Sequence, residues 1–190
     1  MIVSLWVRPD KKSAAKEFAI TKAFSTKYKT YKNLNEWKGP HITLFTLNYK
    51  SGDFDNLLET IRNVAKSRRP FRVRIKDLGY FMKNTQFKRR NYVIYFKVMK
   101  DKNLSRFWSS LNRKIEKYKK PNLKYKNSKL SFTPHMTIAY WDLTKENFYK
   151  ARKEYRNFKF RESFLLKEIQ VSRRIGRKRR KQVTTIKLGS

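Results

Sequence analysis

The sequence predicts an α+β fold in which two lobes share one sheet system. Three observations carry this. Short β-rich runs alternate with amphipathic helical segments along the chain. A strand–helix–strand–helix order occurs twice, and each time the second strand opens on a histidine, a weak internal symmetry. No Gly- or Pro-rich linker divides the halves. At 190 residues the chain suits one domain, so residues 1–190 are taken as a single unit.

The elements follow in order. Ile2 to Val7 is a short β-rich run ended by the turn formers Arg8, Pro9 and Asp10. Ser13 is expected to cap a helix with Ala15, Phe18, Ile20, Ala23, Phe24 and Tyr28 at its apolar positions. After a polar loop, His41 to Leu47 is apolar and β-branched and reads as a strand. Asp53 is expected to cap a helix with Phe54, Leu57, Leu58, Ile61, Val64 and Ala65 on one face. Phe71, Val73 and Ile75 alternate with Arg72, Arg74 and Lys76, a half-buried strand with a basic outer face. Tyr92 to Val98 is the next strand, and Leu104, Phe107, Trp108, Leu111, Ile115 and Tyr118 set the helical period after it. A strand is expected from His135 to Trp141, then a Thr144-capped helix carrying Phe148, Ala151 and Tyr155. Phe164 to Val171 and Val183 to Leu188 form the last two strands.

Composition narrows the partners. Lys and Arg number 49 against 14 Asp and Glu, a formal charge of +35 that attracts polyanions, nucleic acid first. An aromatic content of 15% supplies a core and argues against a disordered chain. With no cysteine and two histidines, disulfide scaffolds, thiol catalysis and three-histidine metal sites are excluded, and no metal or cofactor is expected. The apolar run at the amino terminus precedes Arg8, Lys11 and Lys12, the reverse of a secretory signal. No stretch approaches the ~18 apolar residues of a membrane span. No amphipathic helix pairs a basic face with exposed Trp or Phe, so a cytoplasmic protein with no membrane partner is expected.

The two histidines share one local frame: Pro40-His41-Ile42-Thr43-Leu44 and Pro134-His135-Met136-Thr137-Ile138. On a strand, residues i and i+2 point the same way. His41 therefore projects with Thr43, and His135 with Thr137, each pair backed by apolar residues. If the lobes face each other, two imidazoles and two hydroxyls meet. One imidazole can take a proton while the other gives one, as in-line phosphoryl chemistry at a ribose requires. The hydroxyls can donate to phosphate oxygens whose charge grows in the transition state. A structural role is the plainer account of a lone His-x-Thr, and the matched pair argues against it.

Three basic stretches are read apart from this site: Lys83 to Arg90, Lys119 to Lys129 and Arg173 to Lys181, with Phe87 and Tyr125 inside the first two. They suit either a groove that tracks phosphates with aromatic stacking on bases, or a solvated lysine-biased surface. Trp37 lies just before the first motif and is read as a packing residue that could line the cleft.

The His-x-Thr pair resembles the 2H phosphoesterase superfamily, the LigT-like or 2′-5′ RNA ligase-like proteins. The second motif, Phe132-Thr133-Pro134-His135-Met136-Thr137-Ile138-Ala139, carries most of the likeness, with Asp142-Leu143-Thr144 and the Phe148 helix after it. The first, His41-Ile42-Thr43-Leu44, is shorter. The resemblance implies a bilobal LigT-like fold: two pseudo-symmetric lobes of antiparallel sheet with flanking helices around a central cleft. It implies metal-independent action on RNA ends bearing 2′,3′-cyclic phosphate, on 2′-5′ linkages, or on related cyclic nucleotides. His41 and His135 would be general acid and base, and Thr43 and Thr137 would hold phosphate. Many members carry Arg directly after the small residue of the second motif, where this chain has Tyr140, so a base would stack on Tyr140 or Trp141 instead. Phe132 and Arg173 complete the candidate substrate contacts. Two further readings stand beside this one: a hydrolase of cyclic or 2′-5′ oligonucleotide signals in counter-defence, and a non-catalytic RNA-binding module.

Overall fold

The computed structural model describes residues 2–36, 39–50, 52–84, 90–119, 132–175 and 180–190. Trp37, Phe87 and Tyr125 lie outside the described residues, as do 85–89, 120–129 and 176–179 of the three basic stretches. In chain order the elements are β1 (Ile2–Val7), α1 (Lys11–Tyr28), α2 (Lys32–Glu36), β2 (Ile42–Asn48), α3 (Phe54–Lys66), β3 (Phe71–Asn84), β4 (Arg90–Val98) and α4 (Lys102–Ile115). A short 3-10 turn, Glu116–Tyr118, follows, and then β5 (His135–Ala139), α5 (Lys145–Glu154), β6 (Arg161–Leu166), β7 (Glu168–Ile175) and β8 (Arg180–Lys187).

Among the described residues, eight strands lie in one sheet ordered β6-β3-β4-β5-β2-β1-β7-β8, and their pairings are antiparallel. Each half of the sheet has four strands, and the halves meet between β5 and β2 through one registered pair, Ile42 with Met136. The expected two lobes are present, but they are not consecutive halves of the chain. β1 and β2 open the chain on one half, β3 to β6 build the other, and the chain returns so that β7 flanks β1 and β8 flanks β7.

One face of the sheet is apolar and carries the helices. Val3, Leu5, Val7, Ile42, Ile94, Phe96, Met136, Ile138, Ile169 and Val171 are all buried there. Phe107 of α4 meets Phe71, Phe148 of α5 meets Tyr92, and Lys16 of α1 bonds Glu162 of β6. α3 and α4 bury the stripes their periodicity sets, Phe54 to Ala65 and Leu104 to Ile115. The opposite face, open to solvent, carries the second side of each strand's alternation.

Several local expectations change. α1 is capped by Asp10, whose carboxylate accepts from the backbone N–H of Ser13 at 3.0 Å; that bond holds the Asp10 pKa down. Ser13 lies inside the helix. The buried positions of α1 are Ser13, Glu17, Thr21, Phe24, Ser25 and Tyr28, while Phe18 is exposed. Glu17 is fully buried and neither carboxyl oxygen has a hydrogen-bond partner. Burial, with Glu162 and Asp10 nearby, pushes its pKa up to about 8. Asp53 holds the N-cap position of α3 without a side-chain cap bond. The stretch expected as one strand from Phe164 breaks at Lys167 into β6 and β7, and α2 forms within the segment read as polar loop.

Candidate functional site

The seam between β5 and β2 gathers the two motifs. Ile42 and Met136 pair and are both fully buried. In an antiparallel ladder the residues on either side of that pair face one another crosswise: His41 opposite Thr137, and Thr43 opposite His135. All four lie on the face opposite Ile42 and Met136, the open face. The two histidines are then diagonal neighbours, which in antiparallel pairs lie about 7–8 Å apart. Both imidazoles therefore border the same patch of the open face.

Each imidazole is held in the same way. His41 Nδ1 lies 3.3 Å from the Gly39 carbonyl oxygen, and His135 Nδ1 lies 2.7 Å from the Thr133 carbonyl oxygen. A carbonyl only accepts, so Nδ1 is the donor in both rings, and the lone pair of each neutral imidazole sits on Nε2. The carbonyl is two residues upstream in both cases, so the shared Pro-His frame delivers this contact twice.

The backbones behind the motifs are braced from outside the ladder. Asn33 Nδ2 donates to the Thr137 carbonyl at 2.9 Å and to that of Ile138 at 3.3 Å, on β5 just past its one registered pair with β2. Trp108 Nε1 donates to the Leu44 carbonyl at 3.2 Å, where β2 slips register against β1.

Aromatic rings flank both histidines. Phe81 and Tyr95 each lie 5.2 Å from the His135 ring, edge-on, and 4.7 Å from each other. Tyr95 pairs with Thr137 on one side and Gly79 on the other. A Cβ on Gly79 would fall 2.4 Å from the Tyr95 ring, so only glycine lets that ring lie across β3. Burial raises the Tyr95 hydroxyl pKa. On the other half, Trp6 pairs with Thr43 and sits 6.0 Å from the His41 ring, with the Arg8 guanidinium 4.6 Å above the indole. None of Trp6, Arg8, Phe81, Tyr95 or Asn33 stands out as a site residue in the sequence alone. The alternation of β1 and β4 is the signal that could have found Trp6 and Tyr95, since each shares a face with a motif residue across the ladder.

The four substrate contacts suggested by sequence divide. Phe132 is 8% exposed and stacks on Trp108, which stacks on Phe45; it is a core residue. Arg173 pairs with Val3, and its guanidinium lies 4.0 Å from the centre of the Phe54 ring on the helix-covered face, so it does not reach the motifs. Tyr140 and Trp141 leave the end of β5 with rings 4.7 Å apart. Trp141 is 59% exposed and held at φ 64, in the left-handed region. Among the described residues no three His, Cys, Asp or Glu side chains cluster in a way that could hold a metal ion. No helix among them is long and apolar enough to cross a membrane.

Comparison with solved structures places this architecture. TT0787 of Thermus thermophilus superposes with a TM-score of 0.71 at 15% identity, over 100% of this chain and 98% of that one. Escherichia coli LigT complexed with 3′-AMP gives 0.54 at 14% identity over 97% and 94%. Kluyveromyces marxianus Usb1 gives 0.56 at 14% identity over 98% of both. At such identities the likeness is one of fold. No curated protein sequence gives a significant match. The model of the 2′-5′ RNA ligase superfamily matches residues 9–178, a span that holds both His-x-Thr motifs and the seam that joins them, and this chain belongs to that superfamily.

Proposed function

We propose that the protein is a phosphodiesterase acting on RNA ends that carry a 2′,3′-cyclic phosphate, or on 2′-5′ linkages, with His41 and His135 as its acid–base pair. The observation that carries the reading is the Ile42–Met136 register, which sets the two motifs crosswise about one point of the sheet. The solved LigT complex with 3′-AMP, in this fold, supports a nucleotide ligand.

The phosphate binds between the imidazoles, its non-bridging oxygens accepting from the Thr43 and Thr137 hydroxyls. For a cyclic phosphate, the Nε2 lone pair of one histidine takes a proton from water as the water oxygen bonds to phosphorus. The other histidine, protonated, gives its proton to the ribose oxygen whose bond to phosphorus breaks. The Nδ1–carbonyl bonds stabilise the imidazolium that each ring becomes in turn. Trp6 on one side, and Phe81 and Tyr95 on the other, give the nucleobase apolar faces to stack on, with Tyr140 and Trp141 at the end of β5.

The test is a substrate panel: an oligoribonucleotide ending in 2′,3′-cyclic phosphate, a 2′-5′-linked dinucleotide, and an all-deoxy 3′-5′ strand. At least one of the two ribose substrates should be cut and the deoxy strand left intact; both ribose substrates left intact overturns the proposal. His41→Ala and His135→Ala should each lose on the order of 10²–10⁴-fold in turnover while folded. A folded histidine variant with near wild-type rate, or efficient cleavage of plain DNA, overturns the proposal.

A further inference from the structure

From His135 outward, the ladder across β5, β4, β3 and β6 aligns His135 with Lys97, Lys97 with Lys76, and Lys76 with Arg161. Residues directly opposite in an antiparallel ladder share a face, so the three cations lie on the open face in one row that starts at a motif histidine. Lys76, Lys97 and Arg161 are all exposed. Among the described residues none of the three makes an ion pair, and none takes part in a side-chain hydrogen bond. Like charges placed directly opposite in a ladder destabilise it. Here two such pairs, Lys76–Lys97 and Lys76–Arg161, stand in series. The row spans three strand spacings, about 14 Å, which is more than the single phosphate of a mononucleotide can cover.

We propose that this row is a backbone track for single-stranded RNA, taking the phosphodiesters of the nucleotides that adjoin the reacting one. The inference rests on the proposed function for the identity of the polymer and extends it to a subsite outside the His-x-Thr motifs. A terminal 2′,3′-cyclic phosphate sits at the 3′ end of its strand, so the chain entering the track is the 5′ side. The phosphates cancel the repulsion along the row, and the cations release the counterions of the RNA. Arg72 and Arg74 stand beside the row on the same face of β3, but Arg72 donates to the Ser163 hydroxyl and Arg74 pairs with Asp101 at 3.8 Å. Lys76, Lys97 and Arg161 are the uncommitted members.

The experiment measures binding of a fluorescently labelled oligoribonucleotide across a salt series, in a His41→Ala background so that turnover does not intervene. The triple variant Lys76→Gln, Lys97→Gln, Arg161→Gln is compared with a charge-matched control on α1, Lys11→Gln, Lys12→Gln, Lys22→Gln. Each lost phosphate contact should flatten the slope of log affinity against log salt by about 0.7 for a single strand, so by about 2 for the triple variant. The control should leave the slope near wild type, and the triple variant should melt no lower than the parent. An unchanged slope, or an equal loss in the control, overturns the track. Loss of binding to vesicles of anionic lipid with RNA binding intact overturns it as well. If the wild-type enzyme opens no cyclic phosphate, the proposed function fails, while the slope still decides the track.

Discussion

Replacing Glu17 with Gln should stabilise the protein, by an amount that grows with pH. The glutamate is fully buried on the inner face of α1, with neither carboxyl oxygen hydrogen-bonded. Burial first, then the charges of Glu162 and Asp10, raise its pKa from 4.5 to about 8. Between those values the folded chain keeps a proton that the unfolded chain has released, so stability falls as pH rises through the window. At about 1.4 kcal/mol per tenfold change in proton affinity, the full cost is on the order of 4–5 kcal/mol, with about 3 kcal/mol already lost by neutral pH. That is a large share of the 5–15 kcal/mol typical of a folded domain. Gln has nearly the same shape and no titration, so the difference between variant and parent isolates this one group. Urea unfolding at fixed ionic strength, near pH 5 and again near pH 9, reads it as a shift in midpoint at constant m-value. A gain from Glu17→Gln that is the same at both pH values refutes the reasoning.

Other outcomes follow from the seam and its surroundings. Thr43→Ala and Thr137→Ala should each lower turnover about 10²–10³-fold, as one lost oxyanion donor does, and a loss under about tenfold in steady-state rate argues against a transition-state role. Gly79→Ala drives a methyl group into the Tyr95 ring and should destabilise the protein by about 1–3 kcal/mol while slowing turnover, because the ring that flanks His135 must move. Thermal melts and kinetics check both parts, and a Gly79→Ala variant with wild-type melting and rate refutes the packing argument. Turnover should survive excess EDTA, since a chain with no cysteine and two histidines has few soft or imidazole donors. Activity lost on chelation and restored by one divalent cation counts against this.

The parts of the molecule legible in the sequence are those where one local rule acts alone. The motifs stand out because a period of two puts His and Thr on one face, and a preceding proline marks both. α3 and α4 are legible because their buried positions are Phe, Leu, Ile, Val and Ala at helical spacing. α1 misleads because its inner face is mostly polar, Ser13, Glu17, Thr21 and Ser25, so the apolar residues that set the apparent stripe include the exposed Phe18. Arg173 fails on parity: its neighbour Ser172 shares the face of Ser4 and Trp6, and one step along the strand turns Arg173 to the helices. Phe132 and Tyr95 look alike in sequence. Which aromatic ring meets a histidine depends on the ladder register and on Gly79, relations between distant segments that no local pattern carries.

The position of β1 between β2 and β7 has a consequence for how the protein is made. On the ribosome, β1 can pair with β2 soon after Asn48 emerges. Its other edge then waits for β7, whose last residue is Ile175. At 5–20 residues per second, the roughly 130 intervening residues take on the order of 6–25 s. During that time an apolar strand shows an open row of backbone donors and acceptors, the kind of edge that recruits other chains. The nascent segment is also densely cationic, with Lys or Arg at 8, 11, 12, 16, 22, 27, 29 and 32. Two such nascent chains repel each other, so the same charge excess that favours an anionic ligand in the finished protein also keeps unfinished copies apart until β7 arrives.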